Sequence, residues 1–267
     1  MLTEGVADLF GGLPWWGVGL LLLAAVAAGF IDAVVGGGGL VQLPALLLVP
    51  GIAPVQALAT NKLSSIFGTV TSSITYYRRV RPDLRTALPM AALAGVGAAA
   101  GALCASLLPA AVFRPVIVVA LIAVAVYTLV RPALGAETQL RFSGHRHHAA
   151  AGLAGVAIGF YDGLLGPGTG SFLVFALVGL MGYAFLEASA KAKIVNFATN
   201  LGALAVFIPN GAVLWGLGLA MGAANLLGGY VGARTAIARG SRFVRVFFLV
   251  VVAVLVLRLA WQSFTGR

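Results

Sequence analysis

Ten apolar segments divide this chain, and they fall into two sets of five with matching spacing. The first set runs over Trp15–Val35, Leu40–Val49, Val55–Tyr77, Thr86–Leu107 and Phe113–Val130. The second runs over Ala149–Leu165, Ser171–Met181, Glu187–Ile208, Val213–Arg234 and Phe243–Phe264. Most are runs of roughly 20 residues nearly free of charge, the length a helix needs to cross hydrocarbon. The second segment of each set is too short. At about ten helical residues it spans about 15 Å, against roughly 30 Å of hydrocarbon. Each short segment follows a glycine-rich stretch, Gly36 to Gly39 or Gly166 to Gly170. Non-helical backbone at membrane depth persists only where protein or trapped water satisfies its polar groups. The first two segments of each set are therefore expected to be broken or re-entrant helices whose ends meet inside the protein.

The two sets repeat one another at a distance of about 130 residues, too long for a solenoid and suited to a duplicated half-protein. Gly29-Phe30-Ile31-Asp32 returns as Gly159-Phe160-Tyr161-Asp162, and Ala59 to Ser65 faces Ala190 to Asn196 after one residue of slippage. Gly97 and Gly101 match Gly228 and Gly232. The expected organisation is a repeat over residues 1–130, a polar linker over 131–148 and a second repeat over 149–267. The fold class this implies is an all-α polytopic integral membrane protein.

Composition agrees: the 267 residues are 61% hydrophobic and 9% charged, with a mean hydropathy of +1.04. The net charge of +10 sits in short clusters between apolar spans, where it signals topology and contacts anionic lipid headgroups rather than nucleic acid. Basic residues occupy the loop after segment three of the first half (Arg78, Arg79, Arg81, Arg85), but the loop after segment four of the second (Arg234, Arg239, Arg242, Arg245). The equivalent loops, Pro209 to Gly211 and Leu108 to Val112, carry no charge. With five segments per half, the second half runs upside down, and the positive-inside rule places both basic loops and the linker in the cytoplasm. Two inverted-topology repeats with both termini periplasmic follow from this. Cys104 is the single cysteine, so an internal disulfide is excluded. The acidic N-terminus, with Glu4 and Asp8, suits a retained first span rather than a cleaved signal.

Lys62 and Lys193 carry the candidate chemistry, because a lysine inside a span is expensive and marks a functional position. Lys191 differs: Glu187 lies one helical turn before it, a stabilising pair near the start of its span. The glycine-rich breaks, with Gly37, Gly38, Gly39, Gly168, Thr169 and Gly170, can turn backbone N–H groups toward an anion at a helix start. Asn61 and Ser65, with Asn196 and Asn200, add uncharged polar groups on the lysine-bearing helices, where they line a pathway or bond neighbouring helices. Asp32 and Asp162 are the matched acids, serving as counter-ions to the lysines or as proton carriers. Gly97, Gly101, Gly228 and Gly232 read as close helix-packing positions. His145, His147 and His148 read as part of a solvated basic loop, and neither a metal nor a cofactor is expected.

At these residues the chain resembles the TauE/SafE sulfite-exporter family of membrane anion transporters. The resemblance runs from about Leu20 to Leu259. It is carried by Gly36 to Leu40 with Pro44, Ala57 to Lys62, Gly159 to Gly163 with Gly166 to Gly170, Ala190 to Asn200 and Gly229 to Arg234. It implies movement of sulfite, organosulfonates or related sulfur anions across the bacterial inner membrane. The expected function is secondary transport of a small anion by alternating access, with a homo-oligomer compatible with the sequence. A passive anion channel is the rival within transport. A membrane-embedded enzyme is the rival from another class, and the absence of an HExxH, a nucleotide-binding motif or a nucleophile-and-base set speaks against it.

Overall fold

The computed structural model describes residues 14–105 and 137–265, with side chains through Val250. The expected segment Phe113–Val130 and the acidic N-terminus lie outside these residues. Among the described residues every regular element is helical. We number them α1 (Trp15–Val35), α2 (Gly39–Leu47), α3 (Pro54–Val80), α4 (Leu84–Ala105), α5 (Gly144–Leu164), α6 (Thr169–Phe175), α7 (Phe185–Phe207) and α8 (Trp215–Thr265). α6 continues into a π-helical turn, Ala176–Leu180.

Most boundaries lie within a few residues of those read from the apolar pattern, and two differences are informative. The expected basic loop between the last two segments is not a loop. Arg234, Arg239, Arg242 and Arg245 lie in helical turns of α8, and the helix is interrupted at Gly240 alone, where φ is 71° and ψ −174°. Only glycine reaches that conformation without strain, so one residue redirects the chain where several were expected. At the linker, α5 already begins at Gly144, so the histidines stand in its first turn.

The helices are inside out relative to a water-soluble protein. Large apolar side chains point outward from α1, α4, α5 and α8, with Leu23, Val96, Leu153 and Leu227 each at least 60% exposed. Lys62, Lys191, Lys193 and Asp162 are buried. An apolar exterior on this scale needs an apolar surround. α1 and α4 are each long and apolar enough to cross a hydrocarbon layer.

Helix pairs approach backbone to backbone. α4 packs on α5, and a Cβ at Gly101 would run into the Phe160 carbonyl. α8 packs on α1, and a Cβ at Gly228 would run into the Val26 carbonyl. α3 and α7 lie against each other at the centre, α3 also packing on α8 and α7 on α4. α2 bridges α1 and α3, and α6 bridges α5 and α7.

α1 ends inside this bundle, and beyond the Gly36 N–H that reaches the Asp32 carbonyl at 2.7 Å its last carbonyls lack helical partners. They are met one by one by other elements. The Lys193 ammonium donates to the Asp32 carbonyl, Tyr76 to Ala33 at 2.9 Å and Ser189 to Val34 at 3.4 Å. Ser171 gives its hydroxyl to Val35 at 3.0 Å and its N–H to Gly36 at 3.1 Å. Donors from α3, α6 and α7 thus close a helix end that water does not reach.

Candidate functional site

The two glycine breaks touch. Gly36, with φ 84°, lies so close to Gly170 that neither could carry a side chain. Gly36 follows Asp32 by four residues, and Gly166, also at φ 84°, follows Asp162 by four. Each break therefore sets an acid one turn before a left-handed glycine. The lysines are placed just as regularly. Lys62 stands eight residues after Pro54 at the start of α3, and Lys193 eight after Phe185 at the start of α7. At 1.5 Å per residue each sits about 12 Å into its helix.

Each lysine pairs with the acid of the other half. The Lys62 ammonium is 2.5 Å from Asp162 Oδ1, with both side chains 2% exposed. The Lys193 ammonium is 3.0 Å from Asp32 Oδ2. Thr169 also donates to Asp162 Oδ1 at 2.5 Å, and bonds the Gly166 carbonyl at 2.9 Å. The acids therefore hold the lysines as counter-ions in this structure.

A small cavity lies between these pairs. α1 and α2 contribute Asp32 and Gly39, α3 contributes Asn61, Lys62 and Ser65, and α5 contributes Asp162. Gly168, Thr169 and Gly170 line it from the second break and start of α6, and Asn196 and Asn200 from α7. About 20 Å³ is open to the centre of a water molecule, room for one or two waters. Three of the expected site residues stand back from it. Lys193 lies behind Asp32, Gly38 packs on Ala28 and the Asp32 side chain, and Gly37 is buried at the turn into α2. Gly36 and Gly166 line the cavity although the sequence singled out their neighbours. Their signal was available: each is the first glycine of its break, where a helix has to stop.

Sequence reasoning also passed over buried polar residues that shape the surroundings. Asn225 of α8 donates to Gln42 of α2 at 2.8 Å and to the Ala25 carbonyl at 3.2 Å. Tyr76 and Ser189, bonded to the end of α1, belong with them. Gln42 and Asn225 are each a lone polar residue in apolar sequence, which was the available clue, whereas Tyr76 and Ser189 stand among other polar residues and carried no such signal.

Lys191 is held elsewhere. Its ammonium lies 3.4 Å from Glu187 Oε1, 3.0 Å from the Asp83 carbonyl and 4.5 Å from the centre of the Tyr183 ring. His147 corrects the expectation of a solvated loop. It is buried, and its Nε2 is 2.9 Å from the Tyr183 hydroxyl and 3.2 Å from that of Thr86. The first turn of α5 aims it at the start of α4, whereas His145 and His148 remain exposed. Burial, then the neighbouring His148, holds His147 below the ordinary imidazole range. Burial alone would raise the Asp83 carboxyl, but bonds from Thr86 and the Arg85 N–H, together with Lys191, keep it low. These groups border a second cleft of about 470 Å³, with Arg141 and Ser143 on its rim.

Residues 21–259 match the family described as sulfite exporter TauE/SafE. The chain belongs to that family. It is similar to the probable membrane transporter protein ORF9 of Sinorhizobium sp, with 41% identity over 244 residues, 90% of each chain. It is 37% identical over 246 residues to the probable membrane transporter protein YfcA of Escherichia coli K12, covering 92% of this chain and 90% of that one. A probable membrane transporter protein of Haemophilus influenzae is 35% identical over 226 residues, 85% of this chain and 88% of its own. No solved structure matches. The family and these relatives make the chain a membrane transporter protein.

Proposed function

We propose that this protein is a secondary transporter of a small anion, a sulfur oxyanion or sulfonate, working by alternating access between two inverted halves. The observation that carries the proposal is the exchange of ion pairs across one cavity: Lys62 with Asp162, Lys193 with Asp32. Lys62 and two glycine-rich helix starts line one cavity with amide and hydroxyl groups, and Lys193 supports it from behind Asp32, a site suited to a compact anion. The expected roles follow from these positions. Lys62 and Lys193 provide charge, the glycine breaks with Thr169 provide N–H and hydroxyl donors, and the asparagines complete the lining.

Support for the inverted halves comes from the pairing of elements. α1 packs on α8 as α5 packs on α4, and α3 packs on α8 as α7 packs on α4. A transporter whose halves share one central site uses such symmetry to present the site to either side. The narrowness of the cavity favours a transporter over an open channel. We place the protein in the bacterial inner membrane with periplasmic termini and with Arg78 and Arg79, both exposed, beside anionic headgroups of the cytoplasmic leaflet.

Flux of radiolabelled sulfite and alkylsulfonates into proteoliposomes tests the proposal. Saturable, counterflow-competent flux is expected. Flux linear in concentration would favour the channel, and no flux with any sulfur anion would overturn the substrate class. Labelling of cysteines introduced at His145 in a Cys104→Ala background, from outside intact cells, would overturn the orientation.

A further inference from the structure

We infer that the anion travels with protons: each unit of negative charge brought into the central cavity is matched by a proton taken up on Asp162, and then on Asp32. This rests on the anion-site reading above. The charged groups lining the cavity are Asp32, Lys62 and Asp162, and Lys193 stands behind Asp32 as its partner, while Lys62 pairs with Asp162. Two positive and two negative charges sum to zero, so the site has no surplus positive charge for an anion. An added anion would remain an uncompensated charge in a buried region with room for only one or two waters, which is strongly disfavoured. Neutrality returns if the anion replaces the carboxylate beside its lysine and the carboxylate is protonated.

Asp162 is built for that step. Its Oδ1 holds both Lys62 and Thr169. Its Oδ2 is buried and has no hydrogen-bond partner. A lone pair on Oδ2 takes the proton from hydronium, water departs, and the neutral acid releases Lys62. Lys62 keeps its own proton and faces the anion. Other neighbours of Asp162 do not compete for this role. Tyr161 gives its hydroxyl to the Pro167 carbonyl at 2.7 Å, and α6 brings the uncharged Thr169. The charged residue of α4 is Arg85, at the second cleft. On α7, Lys191 and Glu187 pair with each other, and Lys193 is held by Asp32. Asp32, its side chain 13% exposed beside the cavity, is the second acceptor when the anion carries two charges.

Calorimetric titration of the purified full-length protein tests this with anions of fixed charge. Methanesulfonate is the monoanion and thiosulfate the dianion, so any proton taken up belongs to the protein. Titrations are run in buffers that lack sulfonate and phosphate groups and differ in ionisation heat. We expect uptake of about one proton with methanesulfonate and about two with thiosulfate. Affinity should fall about tenfold per pH unit for each linked proton. Asp162→Asn should lower the uptake by about one and flatten the pH slope accordingly. Should that variant fail to fold, the proton counts of the unaltered protein decide. Binding without proton uptake overturns the coupling and leaves the anion site standing. Uptake undiminished in a folded Asp162→Asn protein overturns the assignment to Asp162. If neither probe binds, nor sulfite, the anion site itself falls, and the coupling with it.

Discussion

Lys191 and Lys193 stand two residues apart on α7, both with fully buried side chains, yet they belong to different environments. Two residues rotate a helix by about 200°, so the two ammonium groups leave on nearly opposite faces. Lys193 turns toward the end of α1 and binds Asp32 from the other half of the chain, as Lys62 binds Asp162. Lys191 turns toward the loops, where its partners Asp83 and Glu187 are 46% and 28% exposed. Burial of the lysine is therefore not what separates a candidate site from an anchoring contact. What separates them is whether the counter-ion is also withdrawn from water. Where it is, losing either partner strands a charge. Where it is not, water takes the place of the missing partner.

The largest expected effect comes from stranding a charge. Lys62→Gln leaves Asp162 buried without its cation and should lower unfolding stability by about 3–5 kcal/mol. Adding Asp162→Asn should recover most of the loss without restoring anion binding. Thermal unfolding and sulfite binding, measured on both variants, check this, and a double variant as unstable as the single one would break the comparison. Acidification should ease the single variant, because a protonated Asp162 needs no cation.

Anion affinity sharpens the contrast on α7. Lys193→Gln should weaken sulfite binding ten- to a hundredfold, the effect of losing a charge-assisted contact worth about 1.5–3 kcal/mol. Lys191→Gln should leave affinity unchanged. Equal losses at the two positions would show that the face of the helix does not matter. Lys191→Gln should in turn cost about 1 kcal/mol of stability, since Asp83 and Glu187 remain hydrated. A loss as large as that of Lys62→Gln would place Lys191 among the stranded charges.

The smallest effect is the pH response of the loop cluster. The folded state holds His147 below its ordinary value of 6.5, so the unfolded chain binds the proton more readily. Stability present at neutral pH is then lost as pH falls below about 6.5. Asp83, also held low, adds a loss of the same sign, which begins only below its ordinary value of 3.8. Melting temperature followed between neutral pH and mild acidity should decline, and His147→Gln should flatten the decline. An unchanged slope in that variant would assign the effect to other groups.

The sequence alone determined the helices among the described residues, the short second segment of each set, and the candidate lysines, acids and glycine breaks. It could do so because these are local signals: runs of apolar residues, glycines that stop a helix, and charges that do not belong in hydrocarbon. The pairing was not legible. Asp32 lies 161 residues from Lys193, and no local pattern distinguishes that partner from Asp162, which occupies the matching place in the repeat. Nor could spacing reveal that Gly36 abuts Gly170, that Tyr76, Ser171 and Ser189 cap the buried end of α1, or that His147 turns inward to Tyr183. Those contacts exist only because glycine-lined helices of the two halves cross at backbone distance, and the crossing decides which buried donor meets which buried acceptor.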